Sequence, residues 1–123
     1  MIKKKKTKKT DWKTEPMPKE HIVLSFQHEF SSEEYENLQI GIIPQQMEDK
    51  WFIYFEGNKL YLHRSWTRLC IYIVEFEVNE KSSQIVKVIV NRNKNQYSET
   101  DNNWDCQFVI YLINLLLLNK PSP

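Results

Sequence analysis

Between positions 51 and 91 the sequence keeps a two-residue period, and no other feature constrains the fold as tightly. Side chains alternate across a β-strand, so such a period puts every second residue on one face. Trp51, Ile53 and Phe55 share one face, Phe52 and Tyr54 the other. Glu56-Gly57-Asn58-Lys59 supplies a turn, because Gly57 and Asn58 tolerate positive φ, and residues 60–64 return as the second arm of an antiparallel hairpin. Residues 69–78 read as a longer strand with Cys70, Tyr72, Val74, Phe76 and Val78 on one face. On its other face Leu69, Ile71 and Ile73 give way to Glu75 and Glu77, so only half of that face is covered. A polar turn at 79–83 leads to a further strand at 84–91.

The flanks carry a different signal. Ile22, Leu24 and Phe26 alternate with Val23, Ser25 and Gln27, a weak extended pattern. Ser31 and Ser32 precede Glu33-Glu34-Tyr35-Glu36-Asn37-Leu38, a hydroxyl cap with acids in the first turn of a short helix that Gly41 ends. After a polar loop, Thr100 or Asp101 caps a final helix in which Trp104, Phe108, Tyr111, Leu112, Leu115 and Leu116 recur at three- and four-residue spacing. That helix reads as apolar almost all round and in need of cover on most sides. Its apolar run over 108–118 is broken by Asn114 and falls short of the roughly 18–20 residues a membrane helix requires. With 123 residues and 41% hydrophobic content the chain suits one packed domain. The expected fold is α+β: an antiparallel sheet of about four strands, a long apolar C-terminal helix across one face, and a short N-terminal helix, all within residues 21–123.

The net charge of +1 conceals an asymmetry. Seven of the seventeen basic residues (Lys3, Lys4, Lys5, Lys6, Lys8, Lys9 and Lys13) precede position 14, whereas from Thr14 on fifteen acids face ten bases. Residues 1–20, with Pro16 and Pro18, therefore read as a disordered basic tail. It offers weak, salt-sensitive affinity for nucleic acid, while the acidic body repels phosphate and excludes a dedicated nucleic-acid-binding domain. Cys70 and Cys106 fall in apolar patterns and read as reduced core residues. No apolar stretch follows the lysines, so no secretory signal is present, and a cytoplasmic, non-membrane protein is expected.

The densest polar segment is His63-Arg64-Ser65-Trp66-Thr67-Arg68. A guanidinium fork with hydroxyls suits phosphate or carboxylate, and an indole offers a stacking surface. A second segment, 91–97, is a polar loop between a strand and a capped helix; Arg92 and Tyr97 are its candidates. Ser65 with His63 as base would make a hydrolase, yet side chains two apart on a strand sit roughly 6–7 Å apart, and no nucleophile elbow or glycine-rich phosphate loop occurs. Acid–base chemistry at Glu48 or Asp49 is a remote alternative. No metal site and no cofactor are expected, because His21, His28 and His63 have no closely spaced ligand partners.

Four ordered strings resemble a family of small, poorly characterised bacterial cytoplasmic proteins that sometimes occur beside ADP-ribose-processing enzymes. They are Ile43-Pro44-Gln45-Gln46-Met47-Glu48-Asp49-Lys50-Trp51-Phe52-Ile53-Tyr54; His63-Arg64-Ser65-Trp66-Thr67; Val90-Asn91-Arg92 with Gln96-Tyr97; and Tyr111-Leu112-Ile113 leading into Leu115-Leu116-Leu117-Leu118. The likeness spans about residues 31–118 and leaves out the lysine tail. It implies an ADP-ribose-like or other nucleotide ligand, with His63, Arg64, Ser65, Trp66, Thr67, Asn91 and Arg92 as contacts, and it carries no assigned reaction. Similar proteins have glycine where this chain has Arg68. The expected function is a domain that binds a small anionic, nucleotide-type ligand, Arg64 and Arg92 holding charge and Trp66 stacking. The alternative is a protein-interaction module, such as an immunity, antitoxin or phage-defence partner, with Trp51, Tyr54, Tyr61 and Trp66 as its surface.

Overall fold

The computed structural model describes residues 5–120. Strands β1 (His21–Ser31), β2 (Trp51–Glu56), β3 (Lys59–Arg64), β4 (Cys70–Val78) and β5 (Ser82–Asn91) form one antiparallel sheet in the order β1-β5-β4-β3-β2. Helices α1 (Ser32–Leu38) and α2 (Asn102–Leu112) complete an α+β architecture. α2 continues into a π-helical turn, Ile113–Leu117, in which Leu118 N donates to Ile113 O. Among the described residues no helix is long and apolar enough to cross a membrane.

The β2–β3 hairpin follows from its turn chemistry. Gly57 and Asn58 take φ of 59° and 62°, the mirror-image turn whose twist matches that of the strands it joins. α1 begins as its sequence requires: Ser31 Oγ accepts from Glu34 N at 3.1 Å while Glu34 Oε1 accepts from Ser31 N at 2.9 Å. At the start of α2 Asp101 accepts from Trp104 N at 3.0 Å.

The sheet has five strands where about four were expected. The fifth is β1, paired with β5 from His21 opposite Asn91 to Ser31 opposite Ser82. Its exposure alternates throughout, even across the bulge between Ser25 and His28, but Val23 lies on the outward row with Ser25, Gln27 and Glu29 while His28 lies on the inward row, so the alternation is faint in sequence. A second bulge corrects the reading of β4. The register slips where His63 pairs with Cys70, and Cys70 leaves the Tyr72–Val74–Phe76 row for the opposite face.

The core lies on one face of the sheet, where Ile53, Leu62, Tyr72, Val74, Val88 and Val90 meet Leu38 of α1 and Val109, Leu112, Ile113 and Leu117. α2 is therefore covered from one side only. It buries Asp105, Cys106, Val109 and Leu112 and exposes Asn103, Trp104, Gln107 and Tyr111, so the expectation of a helix apolar all round does not hold.

The other face is covered by the N-terminal segment. From Lys5 to Glu20 the expected disordered tail is a strap laid on the sheet; residues 1–4 lie outside the described residues. Thr7 N donates to Ile40 O at 2.8 Å, Glu15 N donates to Arg68 O at 2.9 Å, and Trp12 Nε1 donates to Ser65 O at 2.9 Å. The Trp12 ring stacks on Phe52 at 6.1 Å. Phe52, Tyr54, Tyr61 and Ile73 make this face too apolar to leave to water, which is why a lysine-rich segment is held there.

Arg68 ends the turn after β3 with φ at 68°, donating its N–H to Arg64 O. That conformation costs a side-chain-bearing residue roughly 1–2 kcal/mol, which glycine avoids. Arg68→Gly is therefore expected to raise unfolding stability by about 1 kcal/mol, read as a higher urea midpoint at unchanged m-value. A lower midpoint would mean that the arginine side chain holds the turn.

Candidate functional site

The residues singled out in the sequence do not converge. Arg92 is committed to the interior: its Nη2 lies 2.5 Å from Asp105 Oδ2 and 2.8 Å from Asn102 Oδ1, and its Nη1 donates to Glu99 O at 3.2 Å. Tyr97 and Tyr72 both place their hydroxyls 2.6 Å from Asp105 Oδ1 and 2.6 Å from each other. Burial, first, and then the neighbouring carboxylate hold both phenols far above their ordinary range. Asn91 is fully buried, donating to Cys70 O and Gln96 Oε1 at 2.9 Å and accepting from Asn93 N at 2.8 Å. The 91–97 loop is thus a structural clamp on α2, with Asn91, Arg92 and Tyr97 engaged inside the protein.

The 63–68 segment is divided between the two faces. Arg64 lies over the Trp51 ring, 4.9 Å from its centroid, on the helix side. Trp66 is 64% exposed, its Nε1 donating to Met47 O at 3.2 Å and Lys50 Nζ standing 5.7 Å from its ring. It borders a shallow cleft of about 270 Å³ with Trp12, Pro44 and Met47. Ser65 Oγ donates to Asp49 O at 2.7 Å, and Thr67 Oγ1 accepts from Leu69 N at 3.5 Å. With its proton directed at a carbonyl and no bond to His63, Ser65 is a poor nucleophile. Of the aromatics expected to form an interaction surface, Trp51 and Tyr54 are buried and Tyr61 half-buried, leaving Trp66 alone outside.

His63 is the one of these residues that faces the space between the strap and the sheet. It lines a cavity of about 370 Å³ between the strap (Lys9, Thr14, Glu15, Pro16, Met17) and the sheet (Tyr54, Tyr61, His63, Cys70, Ile73). Hairpin register builds the floor. Tyr54 pairs directly with Tyr61 and Phe52 with His63, and the bulge at Cys70 adds a thiol beside them. The Tyr54 and Tyr61 rings stack at 4.7 Å and 6°, and Tyr54 and His63 at 5.8 Å and 15°. The result is a row of parallel flat rings.

Only 2% of His63 is exposed, and its Nδ1 is 3.1 Å from Arg68 O. A carbonyl only accepts, so Nδ1 carries the proton and Nε2 is a bare acceptor. That Nε2 is buried and has no hydrogen-bond partner among the described residues. Burial depresses the imidazole pKa below 6.5; Lys9 adds to this and the bond to Arg68 O opposes it. Burial also pushes the Cys70 thiol up to about 12 and the Tyr54 phenol far above its usual range, so the floor is uncharged at neutral pH.

Sequence reasoning missed Tyr54 and Tyr61 as cavity residues, together with Lys9, Met17 and Cys70. A hairpin about Gly57-Asn58 pairs residues equidistant from the turn, which places both tyrosines beside His63. The strap's part in the site had no signal. Compared with known families, curated proteins and solved structures, the chain finds no match.

Proposed function

We propose that the domain binds a small nucleotide-type ligand by its base, in the cavity under the N-terminal strap. The observation that carries this reading is the orphaned His63 Nε2. A buried acceptor without a partner costs about 1–3 kcal/mol, and a ligand N–H would recover that cost. The parallel rings of Tyr61, Tyr54 and His63 suit a planar heterocycle. Charge at the mouth is nearly balanced, since Lys9 and Glu15 both line it, so one negative group is accommodated by the lysine while a diphosphate is poorly matched. An ADP-ribose-type molecule would accordingly be held at its base with its phosphates outside. Because Nε2 is buried, a ligand reaches it only if its surroundings give, and loosening of the Trp12 and Glu15 contacts of the strap is the expected route.

Thermal unfolding with adenosine, AMP, ADP-ribose and ribose 5-phosphate tests this. At a hundredfold excess over Kd a bound ligand adds about 2.7 kcal/mol of stability. The three base-bearing compounds should raise the Tm and ribose 5-phosphate should not. His63→Phe, which removes the orphan acceptor but keeps a ring, should abolish the shift without lowering the intrinsic Tm. No shift with any base-bearing compound, or an equal shift in His63→Phe, would sink the reading.

A further inference from the structure

The N-terminal strap and His63 hang on the same carbonyl. Arg68 O accepts from Glu15 N at 2.9 Å, which fastens the strap, and lies 3.1 Å from His63 Nδ1, which fixes the imidazole. The strap brings Lys9 and Glu15 to the cavity beside the ring, while β2, β3 and β4 bring Tyr54, Tyr61 and Cys70. Burial holds both phenols and the thiol in their neutral forms, so the two strap residues are the charged groups lining this space.

Two costs oppose each other here. Lifting the strap uncovers Phe52, Tyr54 and Tyr61, so the apolar face keeps it shut while His63 is neutral. A proton on Nε2 reverses the balance. The orphan acceptor becomes an orphan donor on a cation, buried without a partner among the described residues and with the Lys9 ammonium on the same cavity wall. Lifting the strap admits water to Nε2 and takes Lys9 away.

We propose that the strap is an acid-opened cover: protonation of His63 releases residues 5–17 from the sheet and leaves the rest of the fold in place. The direction follows from linkage. Burial, with Lys9 adding and Arg68 O opposing, holds the imidazole of the closed form below the ordinary 6.5. The closed form is therefore fully favoured above pH 6.5 and loses ground as the pH falls, until it takes up the proton itself. This cover needs no ligand, so it stands or falls apart from the nucleotide reading.

Hydrogen exchange of the full chain between about pH 7.5 and 5 tests it, read as protection factors that remove the intrinsic pH dependence of exchange. Below pH 6.5 the protection of the Thr7 and Glu15 amides should fall by up to about tenfold per unit, while that of Val74 and Val88 in the core strands holds. His63→Phe should abolish the fall. Lys9→Gln, at an exposed position, should halt it at a higher pH, because the closed form then accepts the proton more readily. Constant strap protection in the wild type overturns the proposal. So does an equal fall in His63→Phe, which would assign it to His21 or to carboxylates, and so does a fall shared by Val74 and Val88, which would be global unfolding.

Discussion

Asp105→Ala is expected to lower unfolding stability by about 3–5 kcal/mol, a large share of the 5–15 kcal/mol typical of a domain. The carboxylate is wholly buried and serves three partners: Arg92 at 2.5 Å through Oδ2, and Tyr72 and Tyr97 at 2.6 Å through Oδ1. Its removal leaves a guanidinium only 15% exposed without a counter-charge, and water reaches it too little to compensate. The two phenols, whose oxygens are 2.6 Å apart, can bond to each other once the carboxylate is gone, so the loss falls mainly on Arg92. Arg92→Met with Asp105→Leu should recover most of the stability, since exchanging a buried ion pair for apolar groups of similar volume is often neutral. Urea denaturation of both single variants and the double variant closes the cycle. A loss under 1 kcal/mol in Asp105→Ala would mean that water or rearrangement reaches Arg92, and that the 91–97 loop is not the clamp described above.

This cluster shows where sequence reading stopped. Arg92, Asn91 and Tyr97 were visible as a dense polar group, and density of donors is common to ligand sites and to internal networks. The difference lies in whether a carboxylate faces them, and Asp105 reaches them only because α2 folds back over β4 and β5. Local chemistry was more legible. The Gly57-Asn58 turn and the two helix starts each need only residues within four positions; the turn is present as read, and of the caps the sequence offered, the structure uses Ser31 for α1 and Asp101 for α2. What needed long-range information was less so: the fifth strand, the slip that turns Cys70 to the second face, and the strap. A run of lysines has the composition of a solvated tail, and nothing local in it records that Trp12 meets Phe52 and Ser65 across the chain.

The chain's two glycines give the second large effect. Gly41 and Gly57 hold nearly the same backbone, φ of 72° and 59°, so any side chain pays a similar conformational cost of roughly 1–2 kcal/mol at either. Their surroundings differ. A Cβ at Gly57 meets nothing within 4 Å, whereas at Gly41 it collides with the Ile53 carbonyl oxygen and lies 3.0 Å from Thr7 Cβ. Ile53 O is backbone and is already engaged, accepting from Ile42 N at 3.0 Å in the bridge that covers the β2 edge. Thr7 belongs to the strap and is held by Ile40 O one residue before the glycine. Gly41→Ala must therefore push β2, the strap or both, and is expected to cost about 2–4 kcal/mol, against about 1 kcal/mol for Gly57→Ala. Urea melts give the two costs, and Trp12 fluorescence reports whether the strap has shifted from Phe52. Gly41→Asn separates the causes: asparagine tolerates the left-handed backbone but brings the same Cβ, so a cost equal to that of alanine identifies the collision. A Gly41→Ala cost no larger than that of Gly57→Ala would show that the strap and the β2 edge yield freely. The cavity over His63 would then lack the firm cover that keeps its acceptor from water.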